Sequence, residues 1–257
     1  MAPSGQQGFL ALPRPRVLAH RGLALEAPEN TLLAFAKAIA AGAHYIETDV
    51  HASHDGHAVI AHDSDLTRVA GRQVRVDQLT LADLRRVDLG EGQGFPSLAE
   101  ALDGFPETRF NIDIKSPDAV QPTVDAILAA GAADRVLVTS FSEQRRLAAL
   151  RQLPGVVSSS SARRFVPALL AGKTGLSPLV RRSLRGLVAV QVPERALGMR
   201  VTTQRMIHRL HAAGVEVHVW TVNDPLRMRE LLELGVDGLV TDRADLALEV
   251  VRSRAAG

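Results

Sequence analysis

Glu47 and Asp49 stand two apart in the stretch HYIETDVH, and Asp113 and Lys115 repeat that spacing in RFNIDIK. On a strand, side chains two apart leave the same face about 6.5–7 Å from one another. Carboxylates so placed repel unless a cation or a basic side chain stands between them. Hard divalent cations take carboxylate oxygens, so Mg2+ or Ca2+ matches Glu47 and Asp49, unless one of them faces outward or pairs with an arginine. Parallel neighbours lie about 4.8 Å apart, so Asp113 could add a third ligand. Lys115 could then neutralise an anionic substrate, or form a plain ion pair with Glu47 or Asp49. Only three of the thirty basic residues are lysine (Lys37, Lys115 and Lys173), which makes a strand-borne lysine unusual for this chain.

Six of the nine histidines fall between His20 and His62. Imidazole titrates near neutral pH, so His20 and His62 are candidates for proton transfer. His62 is followed by Asp63, and His20 by Arg21, whose planar fork suits phosphate oxygens. Gln191 and Trp220 are possible walls of a substrate pocket, although barrel packing explains the lone tryptophan as well.

These residues cluster at the carboxyl ends of expected strands. Short apolar runs at 16–20, 44–51, 109–115, 135–140, 155–161, 186–192, 215–222 and 237–242 alternate with helical periodicity, as at 30–42, where Asn30 is a possible N-cap and Gly42 a stop. Strands alternating with helices imply parallel pairing with crossover helices. Eight such units match a closed (β/α)8 TIM barrel, where chemistry gathers at the strand C-termini. An open doubly wound sheet is the runner-up, because the fifth and sixth strands are weakly marked. The segment after the first strand, HRGLALEAPEN, has one glycine where a dinucleotide fingerprint needs three.

A single domain over 16–254 is expected, with 1–15 as an N-terminal extension. Residues 52–108 are too long for one crossover and read as a small elaborated loop on the catalytic face, with an Asp-Gly hairpin turn and a helix at 80–87. The 257 residues are 46% hydrophobic and 23% charged, as in an ordinary globular protein. A net charge of +2 with scattered basic residues gives no nucleic-acid stripe and no polybasic membrane arm. The absence of cysteine excludes disulfides and thiolate chemistry. No apolar run approaches membrane-span length, and no stable membrane association is expected. The N-terminus lacks a signal-peptide pattern, so the expected location is cytoplasmic.

The run HRG…APENTLLAFAKAIAAGAHYIETDVHASHDGHAVIAHDSDLTR, then FNIDIK, then VHVWTVNDPLRMRELLELGVDGLVTDRADL, resembles the glycerophosphodiester phosphodiesterase family from about Val17 to Val251. The resemblance implies a barrel hydrolase that cleaves glycerophosphodiesters to sn-glycerol 3-phosphate and an alcohol. By position, it makes His20 and His62 the acid/base pair, Arg21 and Lys115 the phosphate-binding residues, and Glu47 and Asp49 metal ligands. Asp113 falls where many members have glutamate, and Ser53-His54 replaces a frequent threonine-lysine pair. One histidine would deprotonate the nucleophile and the other protonate the leaving alkoxide, with water or the glycerol 2-hydroxyl attacking. Rival readings are a lipid phosphodiesterase of the phospholipase C/D-like barrel type, a barrel that only binds a phosphate ligand, and a Schiff-base aldolase using Lys115. The aldolase needs a lysine of lowered pKa, which neighbouring carboxylates oppose.

Overall fold

The computed structural model describes residues 8–255. Its eight barrel strands, numbered in chain order, are β1 (Arg16–His20), β2 (Tyr45–Ala52), β3 (Arg109–Ile114), β4 (Val136–Thr139), β5 (Val157–Ser158), β6 (Ala189–Val192), β7 (Glu216–Val219) and β8 (Gly238–Thr241). They pair in parallel in the order β5-β4-β3-β2-β1-β8-β7-β6. A parallel bridge between Ser159 and Ala189 brings the two ends of that order together, with Ser160 N–H donating to the Ala189 carbonyl at 3.1 Å. The fold is a (β/α)8 barrel, and the open doubly wound alternative is excluded by that closure.

The fifth and sixth strands are shorter than the sequence pattern suggests. Gly186 adopts φ +77° in the turn before β6, which begins at Ala189, although Val188 already donates to the Ser158 carbonyl at 3.1 Å and accepts from Glu216 N–H at 2.9 Å. The first barrel helix, Leu32–Ala40, is capped by Thr31, whose hydroxyl accepts from Ala34 N–H. Asn30 is therefore not the N-cap; its φ of +57° turns its side chain toward the barrel mouth instead.

Alternation along the strands separates two cores. Val17, Ala19, Ile46, Phe110 and Ile112 pack outward beneath the helices, with Phe35 meeting Phe110 edge-on at 5.8 Å. Leu18, Leu137, Val157, Ala189 and Val240 fill the barrel interior. Below them, Arg16 forks onto Glu216 at 2.7 and 2.8 Å and donates to the Tyr45 hydroxyl at 2.7 Å. Residues 8–12 of the N-terminal extension plug this base: Phe9 is fully buried against Tyr45, and Arg16 also donates to the Leu10 and Leu12 carbonyls.

After β2 the chain turns at Asp55-Gly56 into an antiparallel strand, Ala58–Ile60, and later forms a helix at Leu81–Arg85. Residues of this long segment share a small core built on Val59, Leu66, Leu84 and Phe95. That core holds the loop bearing His62 over the mouth of the barrel. No helix among the described residues is long and apolar enough to cross a membrane.

Candidate active site

β1 delivers His20 to the C-terminal mouth, and the next two residues turn the chain sharply. Arg21 takes φ +58° and Gly22 φ +88°, and a Cβ on Gly22 would lie 2.7 Å from the backbone of Ala34. Only glycine allows the turn to pack that closely on the first helix, which aims Arg21 back over the barrel. Arg21 N–H donates to the Glu47 carbonyl at 2.9 Å, tying this turn to β2.

His20 Nδ1 donates to Asp242 Oδ1 at 2.6 Å, while its Nε2 lies 3.8 Å from Glu47 Oε2. Burial disfavours the imidazolium, but Asp242 and Glu47 outweigh it and raise the His20 pKa. The His20 bond holds Asp242 below the ordinary carboxylate range, and Asn223 fixes that carboxylate in turn at 2.7 Å. His62 Nδ1 donates to Asp63 Oδ1 at 2.8 Å. Each histidine is thus held through Nδ1 by its own carboxylate, leaving Nε2 for the cavity that both line.

Glu47, Asp49 and Asp113 all face this cavity and are nearly inaccessible to solvent. The β2–β3 register sets Asp49 beside Asp113 and Glu47 beside Asn111. Lys115 bridges Asp49 Oδ1 and Asp113 Oδ2, each at 2.7 Å. Burial and the neighbouring Asp49 push the Glu47 pKa up. Burial raises Asp113 as well, whereas in Asp49 the Lys115 and Arg21 cations overcome burial and hold the pKa down. Lys115 is held charged: burial opposes its ammonium, but Asp49 and Asp113 outweigh that and raise its pKa. That is the wrong protonation state for a Schiff-base nucleophile.

The donor chemistry fits a hard divalent cation. Glu47 Oε2 and Asp113 Oδ1 are buried without a hydrogen-bond partner, and such oxygens need a proton or a cation. Among the described residues, no three carboxylate or histidine groups converge as a preformed metal cage. Lys115 bridges two of the three carboxylates instead, so the expected ligand trio is present as oxygen donors but is not drawn together.

The structure gathers His20, Arg21, Glu47, Asp49, His62, Asp113, Lys115, Gln191 and Trp220 around one cavity of about 400 Å3. Sequence spacing missed their supports. Asn30 donates to Asp49 Oδ2 at 3.2 Å and accepts from the Thr48 hydroxyl at 2.8 Å. Glu29 accepts from Arg21 at 3.0 Å and from Arg68 at 2.5 Å, and Arg68 donates to Asp63 at 2.6 Å. Asp242 showed only as a polar strand end, and its partnership with His20 requires β8 to pair with β1.

A barrel with two carboxylate-held histidines, buried carboxylates and two cationic side chains at its mouth defines a class, the (β/α)8-barrel phosphodiesterases. The chain belongs to the glycerophosphoryl diester phosphodiesterase family, whose model matches residues 20–246. It is 43% identical over 239 residues to "Probable glycerophosphodiester phosphodiesterase 2" of Mycobacterium tuberculosis, covering 92% of this chain and 90% of that one. A solved glycerophosphodiester phosphodiesterase from Thermotoga maritima is 28% identical with a TM-score of 0.71, covering 91% and 97% of the two chains. A phosphodiesterase from Oleispira antarctica, solved with the product sn-glycerol-3-phosphate, shares the fold at 23% identity and TM-score 0.76, covering 93% and 97%.

Proposed function

We propose that the protein hydrolyses glycerophosphodiesters to sn-glycerol 3-phosphate and an alcohol, with His20 and His62 as the acid/base pair. The observation that carries this reading is the matched Nδ1 anchoring of the two histidines, at 2.6 Å to Asp242 and 2.8 Å to Asp63, on one cavity. A carboxylate on Nδ1 fixes the tautomer and stabilises the imidazolium, so Nε2 can accept or give a proton. Arg21 and Lys115 supply positive charge for the phosphoryl oxygens. One histidine takes the proton of the attacking hydroxyl, and the other protonates the departing alkoxide. The attacking group is water or the glycerol 2-hydroxyl, which would give a cyclic phosphate that water then opens.

Glu47, Asp49 and Asp113 are the residues that would hold Mg2+ or Ca2+. Bound there, the ion supplies charge that polarises the phosphoryl oxygens. Asn30 orients Asp49 for that duty, and Arg21 and Lys115 balance the carboxylates otherwise. The relative solved with sn-glycerol-3-phosphate supports the product assignment by family membership.

The test is release of sn-glycerol 3-phosphate from glycerophosphocholine and glycerophosphoethanolamine, with and without EDTA and with Mg2+ or Ca2+ restored. Turnover lost in EDTA and regained with the ion is expected. No turnover of either diester under any of these conditions would sink the reading.

A further inference from the structure

The net charge of +2 conceals a segregation along the chain. Residues 144–193 carry nine Lys or Arg and no Asp or Glu, so the rest of the chain holds 21 basic residues against 28 acidic ones. Basic residues that read as scattered over the whole sequence are gathered in this stretch. Six of the nine lie on or just past two consecutive helices, Ala162–Thr174 and Ser177–Leu184. Both helices pack on the barrel through apolar faces, Phe165, Ala168 and Leu169 on the first and Val180 and Leu184 on the second.

Arg164 ties the pair together, donating to the Ser183 carbonyl at 2.5 Å and to the Arg185 carbonyl at 2.9 Å. Pro178, Arg181, Arg182 and Arg185 share the side of the second helix turned away from Val180 and Leu184, and with Arg164 they line one open groove. Arg181 and Arg185 are four apart, a spacing at which like charges repel. Elsewhere exposed arginines are matched, Arg68 with Asp63, Arg75 with Asp77 and Arg243 with Asp245. Among the described residues, no carboxylate pairs with Arg163, Arg181, Arg182 or Arg185, and Glu143 is shared by Arg146 at 2.8 Å and Arg164 at 3.4 Å.

Leucines stand among these cations. Leu170, Leu176 and Leu179 are 48%, 51% and 48% exposed, where leucine is ordinarily buried. Leu170 follows Arg163 and Pro167 at helical spacing on the outward side of the first helix, and Leu179 neighbours both Leu176 and Arg182 at three-residue spacing. No residue between Val166 and Leu187 is aromatic, so the face lacks the stacking platforms that single-strand nucleic-acid surfaces set beside their arginines. Arginine interleaved with leucine on an outward helical face is instead the composition of an interfacial helix. The guanidinium forks take phosphate oxygens, and the leucines enter the boundary between headgroups and acyl chains.

We propose that this two-helix face docks on an anionic lipid surface, with Arg181, Arg182 and Arg185 on lipid phosphates and Leu176 and Leu179 inserted at the acyl boundary. The docking is peripheral and reversible, because a few charges and leucines give only modest membrane affinity. It uses none of the catalytic or phosphate-binding residues and does not depend on the diesterase reading.

The experiment sediments the full chain with vesicles of phosphatidylcholine alone and of phosphatidylcholine mixed with phosphatidylglycerol, at low and at raised salt. The protein should sediment with the mixed vesicles and not with phosphatidylcholine alone, and less as salt rises. Arg181→Gln with Arg182→Gln and Arg185→Gln should weaken partitioning by about a hundredfold, roughly fivefold for each charge. Leu176→Ser with Leu179→Ser should weaken it by about tenfold. All five side chains are exposed, and a Tm close to that of the parent separates lost docking from lost fold. Equal sedimentation with the two vesicle types, or either variant binding like the parent, would overturn the proposal. Capture on heparin without vesicle binding would overturn it as well and assign the face to a soluble acidic partner.

Discussion

Asp242, at the end of β8, accepts a 2.6 Å hydrogen bond from Nδ1 of His20, at the end of β1, across 222 residues of sequence. The pairing of the first strand with the last therefore also assembles half of the proton-transfer machinery. Asn223 completes the arrangement, donating to Asp242 Oδ2 and accepting from the Asp242 N–H at 2.9 Å. Asp242→Ala should lower kcat by about tenfold to a hundredfold, the worth of a hydrogen bond to a charged group. KM should change less, since Asp242 acts through His20. Steady-state kinetics on glycerophosphocholine checks this, and an unchanged kcat would refute it.

The His62 side is held from farther away. Arg68 bonds Asp63 at 2.6 Å and Glu29 at 2.5 Å, and Glu29 also receives Arg21 at 3.0 Å. Arg68 thus fixes the anchor of one histidine and the carboxylate that steadies the phosphate-facing arginine. Its own exposure makes it a positioning residue whose loss spares the fold. Arg68→Ala should reduce kcat/KM by roughly tenfold, with Arg68→Lys recovering only part because lysine lacks the fork that spans both carboxylates. Equal activity of the alanine variant and the parent would show that the chain of ion pairs is ornamental.

These supports mark the boundary of what the sequence made legible. Eight strand-like runs, the i, i+2 pairs Glu47/Asp49 and Asp113/Lys115, and the strand-end position of His20 follow from local periodicity, and the barrel brings them together as that periodicity requires. Asp242 with His20, Asn223 with Asp242, and Arg68 with Glu29 meet across separate segments, which no local pattern encodes. Asn30 carried a misleading signal, since asparagine before an apolar run is a good N-cap; Thr31 takes that duty and frees Asn30 for Asp49. Lys115 shows the same limit at the site itself. Spacing placed it beside the carboxylates, but only the side-chain geometry shows it bridging Asp49 and Asp113.

The barrel base gives a pH prediction. Burial opposes ionisation of Glu216, but its bonds to Arg16 and His218 outweigh that and hold its pKa down to about 2, against an ordinary value of 4.5. A carboxylate depressed on folding stabilises the native state above its unfolded pKa, and the contribution is lost as pH falls toward the folded value. The fold should therefore lose on the order of 3 kcal/mol between about pH 4.5 and pH 2 from this group alone. Denaturant unfolding across that range should show the slope, and Glu216→Gln should flatten it while lowering stability near neutrality. A slope identical in the two proteins would place the acid sensitivity elsewhere.

Gly238 offers a packing test at the same depth. A Cβ there would lie 2.7 Å from His218 Cδ2, and His218 is fully buried on the neighbouring strand. Gly238→Ala should cost about 1–3 kcal/mol by overpacking and lower Tm by several degrees. A companion His218→Ala should relieve the clash, so the double variant should lose less than the sum of the two single losses. Additive losses in thermal unfolding would mean that the two residues do not share this space.

The central claim is that His20 and His62 serve one reaction at one cavity, and single and double alanine variants test it most directly. Release of sn-glycerol 3-phosphate from glycerophosphocholine should fall by about a hundredfold to ten-thousandfold in His20→Ala and in His62→Ala. The double variant should fall little further, because two groups acting on a single proton-transfer sequence are not additive. Turnover within twofold of the parent in either single variant would contradict the account.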